Sequence, residues 1–153
     1  MTGAFVRATL GVVLAGAGSL AVAAPMYVTA QPQAQSAPGV RVVQVFVISS
    51  GDPVACRKAM PSADRYMYGS VGAHCVKALP AELAGVDQDA GLAGAYVVKI
   101  ADPAAPGPAY VVRFGMSTRD VQAVCRNLLV YDRSSLVGEH LRTARLSCLP
   151  PKH

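Results

Sequence analysis

The side chains able to do chemistry are few, and most stand alone. His74, His140 and His153 are the three histidines of a 153-residue chain. No His-x-x-x-His or His-Glu-x-x-His places two ligands on one helix face, so no metal site or cofactor is expected. His74 precedes Cys75, the types a thiol hydrolase uses as base and nucleophile, but adjacent side chains seldom point toward one another. Glu139-His140 reads as an exposed turn pair with some capacity for acid–base work. Gly69-Ser70-Val71-Gly72 lacks the Gly-x-Ser-x-Gly spacing of a nucleophile elbow. Asp87-Gln-Asp89-Ala-Gly91 opens like a calcium loop without the later ligands or the closing glutamate. No catalytic constellation emerges, and a small secreted hydrolase using His74 or His140 is a minor reading.

The cysteines carry more information. Leu10 to Val22 is an apolar run preceded by Arg7 and followed by Ala21-Val22-Ala23, the pattern of a secretory signal peptide cut after Ala23. That predicts a periplasmic or secreted protein, with residues 1–23 as signal peptide and no stable membrane span after cleavage. In an oxidising compartment Cys56, Cys75, Cys125 and Cys148 read as two disulfides, with three possible pairings that sequence cannot separate. The local pairs, Cys56 with Cys75 and Cys125 with Cys148, are the expectation. Each closes a loop of about 20 to 25 residues, worth ~3 kcal/mol in the chain-entropy picture. No Cys-x-x-Cys supports a zinc knuckle or a thioredoxin-type motif.

Charge is uneven. From Ala24 to Ala109 six basic residues balance six acidic ones, whereas from Tyr110 onward seven basic residues face three acidic ones. The C-terminal third could therefore meet an anionic partner, although a solvated face explains the same charges. Aromatic residues are not interleaved with the basic ones, so nucleic acid is not an expected partner.

The elements that must position these groups follow from hydrophobic periodicity. Residues 24–39 have no apolar period and read as a flexible leader. Arg41 to Ser49 (RVVQVFVIS) is a central strand covered on both sides. Asp52-Pro53 starts a short helix that Pro61 should stop. Residues 61–94 are rich in glycine and proline and read as an excursion pinned by Cys75, with a brief strand at Arg65 to Ser70. Ala95 to Ala101 and Ala109 to Phe114 are antiparallel neighbours across a proline-rich turn. Tyr96, Val98 and Ile100 should share one face with Tyr110, Val112 and Phe114, leaving Lys99 and Arg113 on the other. Ser117 and Thr118 cap a helix whose Val121, Val124, Cys125 and Leu128 form the inner stripe and whose Arg119, Arg126 and Arg133 point outward. Leu141 to Leu149 is a last strand, with Leu146 and Cys148 inward, and residues 150–153 are a tail.

This order predicts a single α+β domain over residues 40–149, a ferredoxin-like βαββαβ fold with two helices on one face of a four-stranded antiparallel sheet. The competing architecture is a small barrel of the oligosaccharide-binding type. In the favoured arrangement Gln44, Phe46, Lys99, Arg113 and Arg145 gather on the open face, where polar donors around an aromatic ring suit a sugar chain or an anionic polymer.

Val43-Gln44-Val45 in the first strand, and Tyr110-Val-Val-Arg-Phe-Gly115 running into a helix, resemble the sporulation-related repeat domain over about half of the chain. The resemblance implies an envelope module that binds cell-wall glycan strands on its sheet. Composition and resemblance thus lead to an exported, non-enzymatic binding module whose partner is a cell-wall glycan or an envelope protein. The alternatives are the small hydrolase and an inhibitor- or toxin-type binding subunit built on the barrel.

Overall fold

The strand Arg41–Ile48 is apolar on both sides of its pleat, and a strand of that kind has to be covered twice. All but its first residue are buried. The computed structural model describes residues 24–32, 38–63, 70–131, 144–149 and 151–152, and within them this strand sits near the middle of an open, six-stranded antiparallel sheet. The strands are β1 (Met26–Pro32), β2 (Arg41–Ile48), β3 (Ser70–Val76), β4 (Ala95–Ala101), β5 (Ala109–Phe114) and β6 (Arg145–Leu149), in the spatial order β3-β1-β2-β5-β4-β6. Among the described residues the α-helices are α1 (Pro53–Ala63) and α2 (Thr118–Tyr131).

The expected four-stranded ferredoxin-like sheet is therefore corrected, and the barrel alternative falls too, because the sheet ends at β3 and β6 instead of closing. The difference comes from two strands. Met26–Pro32 lies inside the stretch read as a flexible leader, and Ser70–Val76 lies inside the excursion. β1 pairs with β2 on one side and β3 on the other, so it is an interior strand with Met26, Tyr27, Val28, Thr29 and Ala30 all buried. Burial on both faces removes the polar/apolar alternation by which a strand is recognised.

The chain traces the same ββαβ path twice. β1 and β2 form a hairpin, and α1 then crosses over β1 to reach β3; β4 and β5 form a hairpin, and α2 crosses over β4 to reach β6. The two units meet by antiparallel pairing of β2 with β5, and a local twofold relates them. Its axis passes through the Val45–Tyr110 pair. The register supports this on both sides of the sheet. On the helix side Val28 lies between Phe46 and Cys75, and Val98 lies between Val111 and Cys148. In each unit the strand cysteine is bonded to the helix above it, Cys75 to Cys56 and Cys148 to Cys125, as spacing led us to expect.

Helix starts follow local chemistry. Asp52 accepts from the amides of Val54 and Ala55 at 2.9 and 3.2 Å, while Ser117 accepts from the Asp120 amide at 3.2 Å. These bonds satisfy donors that the first helical turn leaves free. Pro61 does not stop α1, which runs two residues past it.

Both helices lie on one face, where Cys56 and Val121 join Met26, Val28, Phe46, Ile48, Tyr96 and Val98. The opposite face is covered in its centre by residues 77–94, a strap with 3-10 turns at Ala81–Leu83 and Val86–Gln88. Leu83, Val86 and Leu92 of the strap bury against Tyr27, Val45, Val97, Tyr110 and Val112. The described residues are thus layered as helices, sheet and strap, and among them the ends of the strap face stay open.

Candidate functional site

Of the five residues expected on one open face, the structure places three on the helix side and two opposite. Phe46 is fully buried, Gln44 is 7% exposed, and Arg113 lies between them and Tyr96 on the same side. Gln44 Oε1, the Tyr96 hydroxyl and Arg113 Nε are buried without a hydrogen-bond partner among the described residues. Burial raises the Tyr96 pKa, while the Arg113 charge partly offsets it. Lys99 and Arg145 are on the strap face instead. The reason is a one-residue difference in register: Lys99 is opposite Tyr110, and Tyr96 is opposite Arg113, so Lys99 and Arg113 point to opposite sides.

Lys99 and Arg145 share a cleft of about 470 Å³. Lys99 rises from the middle of β4, Arg145 opens the edge strand β6, and Ala101, which pairs with Arg145, forms the floor between them. The wall is the β4–β5 turn, with Pro103, Ala105 and Pro108. The turn is held by Asp102, whose carboxylate accepts from the Ala104 amide at 2.9 Å, and by the Pro108 carbonyl, which accepts from the Val47 amide at 3.0 Å. Gly107 permits that close approach, since a Cβ there would stand 2.1 Å from the Val47 carbonyl oxygen. Lys99 donates to Asp89, an ion pair that holds the Asp89 carboxyl below the usual range, with help from the Tyr110 hydroxyl. Arg145 is exposed and carries no ion pair among the described residues.

A second cleft, of about 410 Å³, opens on the same face in the first unit. Thr29 and Gln31 of β1, His74 and Val71 of β3, and Arg41 of β2 line it, with Glu82 of the strap at its rim. Arg41 and Glu82 make two hydrogen bonds, 2.9 and 2.7 Å, and the guanidinium lies 4.3 Å from the centre of the Phe114 ring. The Glu82 carboxyl is held below its ordinary pKa by that bond. His74 Nδ1 lies 2.6 Å from the Gly72 carbonyl, which can only accept, so Nδ1 is the donor there. Nε2 lies 3.4 Å from the Thr29 hydroxyl. Thr29 and His74 are directly opposite in the ladder, so this contact is also what an ordinary cross-strand pair makes.

Sequence reasoning missed this cleft because it had no β1. The only signal was Tyr27-Val28-Thr29, an aromatic and two β-branched residues of the kind that favour strands. The other chemical candidates resolve plainly. Cys75 is bonded to Cys56, so its sulfur is no thiol nucleophile. Asp87 accepts from the Tyr27 hydroxyl at 2.7 Å and Asp89 from Tyr110 at 3.1 Å, which makes the Asp87-Gln-Asp89 run an anchor for the strap. Burial and the Asp87 bond push the Tyr27 pKa up to about 12, and burial with the Asp89 bond raises that of Tyr110. Among the described residues no three His, Cys, Asp or Glu side chains are grouped as metal ligands, and no helix is long and apolar enough to cross a membrane. Residues 1–23, Gly69, Arg133, Glu139, His140 and His153 lie outside the described residues.

Comparison with family models, curated proteins and solved structures finds no match to this chain.

Proposed function

We propose that the protein is an exported binding module of the cell envelope that holds an acidic group of a glycan in the Lys99–Arg145 cleft. The observation that carries this reading is the convergence of Lys99 and Arg145, from different strands, over one concave, proline-walled depression that Asp102 also lines. A lysine and an arginine lining one cleft favour a carboxylate or a sulfate, and the apolar wall suits the carbon face of a sugar. Lys99 is already paired with Asp89, so its part is to orient and to share charge. Arg145, whose planar guanidinium makes no ion pair among the described residues, is the principal donor.

Export is supported by the apolar run at Leu10 to Val22 and by two disulfides, which persist in oxidising compartments. The choice of a glycan over a protein partner draws on the resemblance to a glycan-binding repeat. Phe46, Gln44 and Arg113 leave this site, since a ligand on the strap face does not reach them.

The test is retention on purified cell-wall sacculi at low ionic strength. Arg145→Glu is expected to reduce the retained fraction by about tenfold, with Lys99→Gln smaller, and salt should weaken the native protein progressively. Equal retention of the native protein and Arg145→Glu would remove this reading.

A further inference from the structure

The cleft lined by His74 and Arg41 has no role in the function proposed above, yet it is not an arbitrary depression. A single row of residues crosses all six strands on the strap face: His74, Thr29, Val45, Tyr110, Lys99 and Ser147, each opposite the next. The twofold passes through the middle of this row, so Thr29 corresponds to Lys99 and His74 to Ser147. Two residues further along β1 and β4, Gln31 faces Val71 as Ala101 faces Arg145. Val43 of β2 corresponds in the same way to Pro108, and each lines its own cleft. The two depressions are therefore one feature of the ββαβ unit, present twice.

Their chemistry differs in a directed way. Where the second unit offers Arg145 beside a Lys99 paired with Asp89 and the carboxylate of Asp102, the first offers Thr29, Gln31 and His74, with the charges of Arg41 and Glu82 cancelled against each other. A neutral rim rich in both donors and acceptors matches uncharged hydroxyl and acetamido groups. It offers no net charge for a carboxylate.

We propose that the Thr29–Gln31–His74 cleft is a second carbohydrate subsite, taking an uncharged sugar unit of a glycan whose acidic unit occupies the Lys99–Arg145 cleft. This rests on the glycan reading of the Lys99–Arg145 cleft and assigns the ligand class: a polymer that alternates neutral and carboxylate-bearing sugars. Thr29 and Lys99 are three strand spacings apart, about 14 Å, with the strap between them. A short fragment fills the two clefts separately, whereas a longer one crosses the strap and engages both, so affinity rises with chain length through effective concentration.

Isothermal titration with hyaluronan fragments, which alternate N-acetylhexosamine and uronate units, tests this on the full-length exported protein. The expected result is tighter binding of a dodecasaccharide than of a tetrasaccharide by tenfold or more. Gln31→Ala/His74→Ala should abolish that gain while leaving the tetrasaccharide's affinity for the acidic cleft unchanged. Arg145→Glu should remove the acidic-cleft binding and leave weak binding that His74→Ala then eliminates. A chain-length gain that survives Gln31→Ala/His74→Ala would overturn the second subsite alone. Absence of any heat with the native protein, together with Arg145-independent retention on sacculi, would overturn the glycan reading itself.

Discussion

The two ββαβ units share a frame and differ in what they bury and what they expose. In both, a valine on the middle strand, Val28 or Val98, is flanked by a disulfide cysteine and by a residue of the hairpin partner. In the first unit that partner is Phe46, fully buried; in the second it is Val111, only partly covered. Around the clefts the contrast reverses, with neutral polar residues and a mutually paired Arg41 and Glu82 in the first unit and Lys99, Arg145 and Asp102 in the second. The lesson is that positions under the helices are set by packing, while positions at the ends of the strap face are free to carry chemistry.

The sharpest way to break the comparison is to empty the equivalent core positions. Phe46→Ala is expected to cost about 3–5 kcal/mol, transfer and cavity together. Val111→Ala, which removes two methyl groups from a half-covered site, should cost about 1–2 kcal/mol. Urea unfolding of both variants checks this, and equal losses would show that the units are packed alike.

That asymmetry also explains what could be read from the amino acids. β4, β5 and α2 were legible because one face of each is distinctly more polar, as Lys99, Arg113 and Arg126 mark. The local disulfide pairs were the expectation among three pairings that spacing alone does not separate, and the structure has them. β1 was not legible, because its apolar stretch is short, Met26 to Ala30 between Pro25 and Gln31-Pro32, without the long β-branched run that marked β2, and so the six-stranded sheet was read as four-stranded. The repeat itself is disguised. Tyr27-Val28 and Tyr96-Val97, Val42-Val43 and Val111-Val112, and Cys56-Arg57 and Cys125-Arg126 all stand 69 residues apart. Yet the ladder equates Val28 with Val98, so the matching tyrosines face opposite sides of the sheet, Tyr27 toward the strap and Tyr96 toward the helices. A slip of one residue also misassigned Arg113 and split the expected site, because a strand's faces alternate with period two.

The disulfides sharpen the comparison next. Cys56 is fully buried and its partner Cys75 partly so, whereas both Cys125 and Cys148 are part-exposed and line a depression with Gln122 and Arg126. Thiol–disulfide exchange needs an approach path for the attacking thiolate. Under native conditions the Cys125–Cys148 bond should therefore be reduced about tenfold faster than Cys56–Cys75, read by alkylation and peptide mass spectrometry. The reverse order would contradict the difference in burial.

A smaller effect concerns how the strap ties the units together, Asp87 to Tyr27 of the first and Asp89 to Tyr110 of the second. Folding raises the pKa of both phenols, so their contribution to stability is complete below pH 10 and is lost as pH rises through about 12 for Tyr27. Ultraviolet titration should show tyrosines ionising late, with Asp87→Asn bringing Tyr27 down toward its ordinary range. A titration in which every tyrosine ionises near pH 10 would mean that the strap does not hold them.

The central claim is that ligands are met on the strap face, at equivalent places in the two units, and not on the helices. Amide NMR mapping during titration with a hyaluronan dodecasaccharide addresses it directly. The account predicts shifts at Lys99, Ala101 and Arg145 and, in the same complex, at Thr29, Gln31 and His74. Shifts confined to α2, around Arg119 and Arg126, would contradict it.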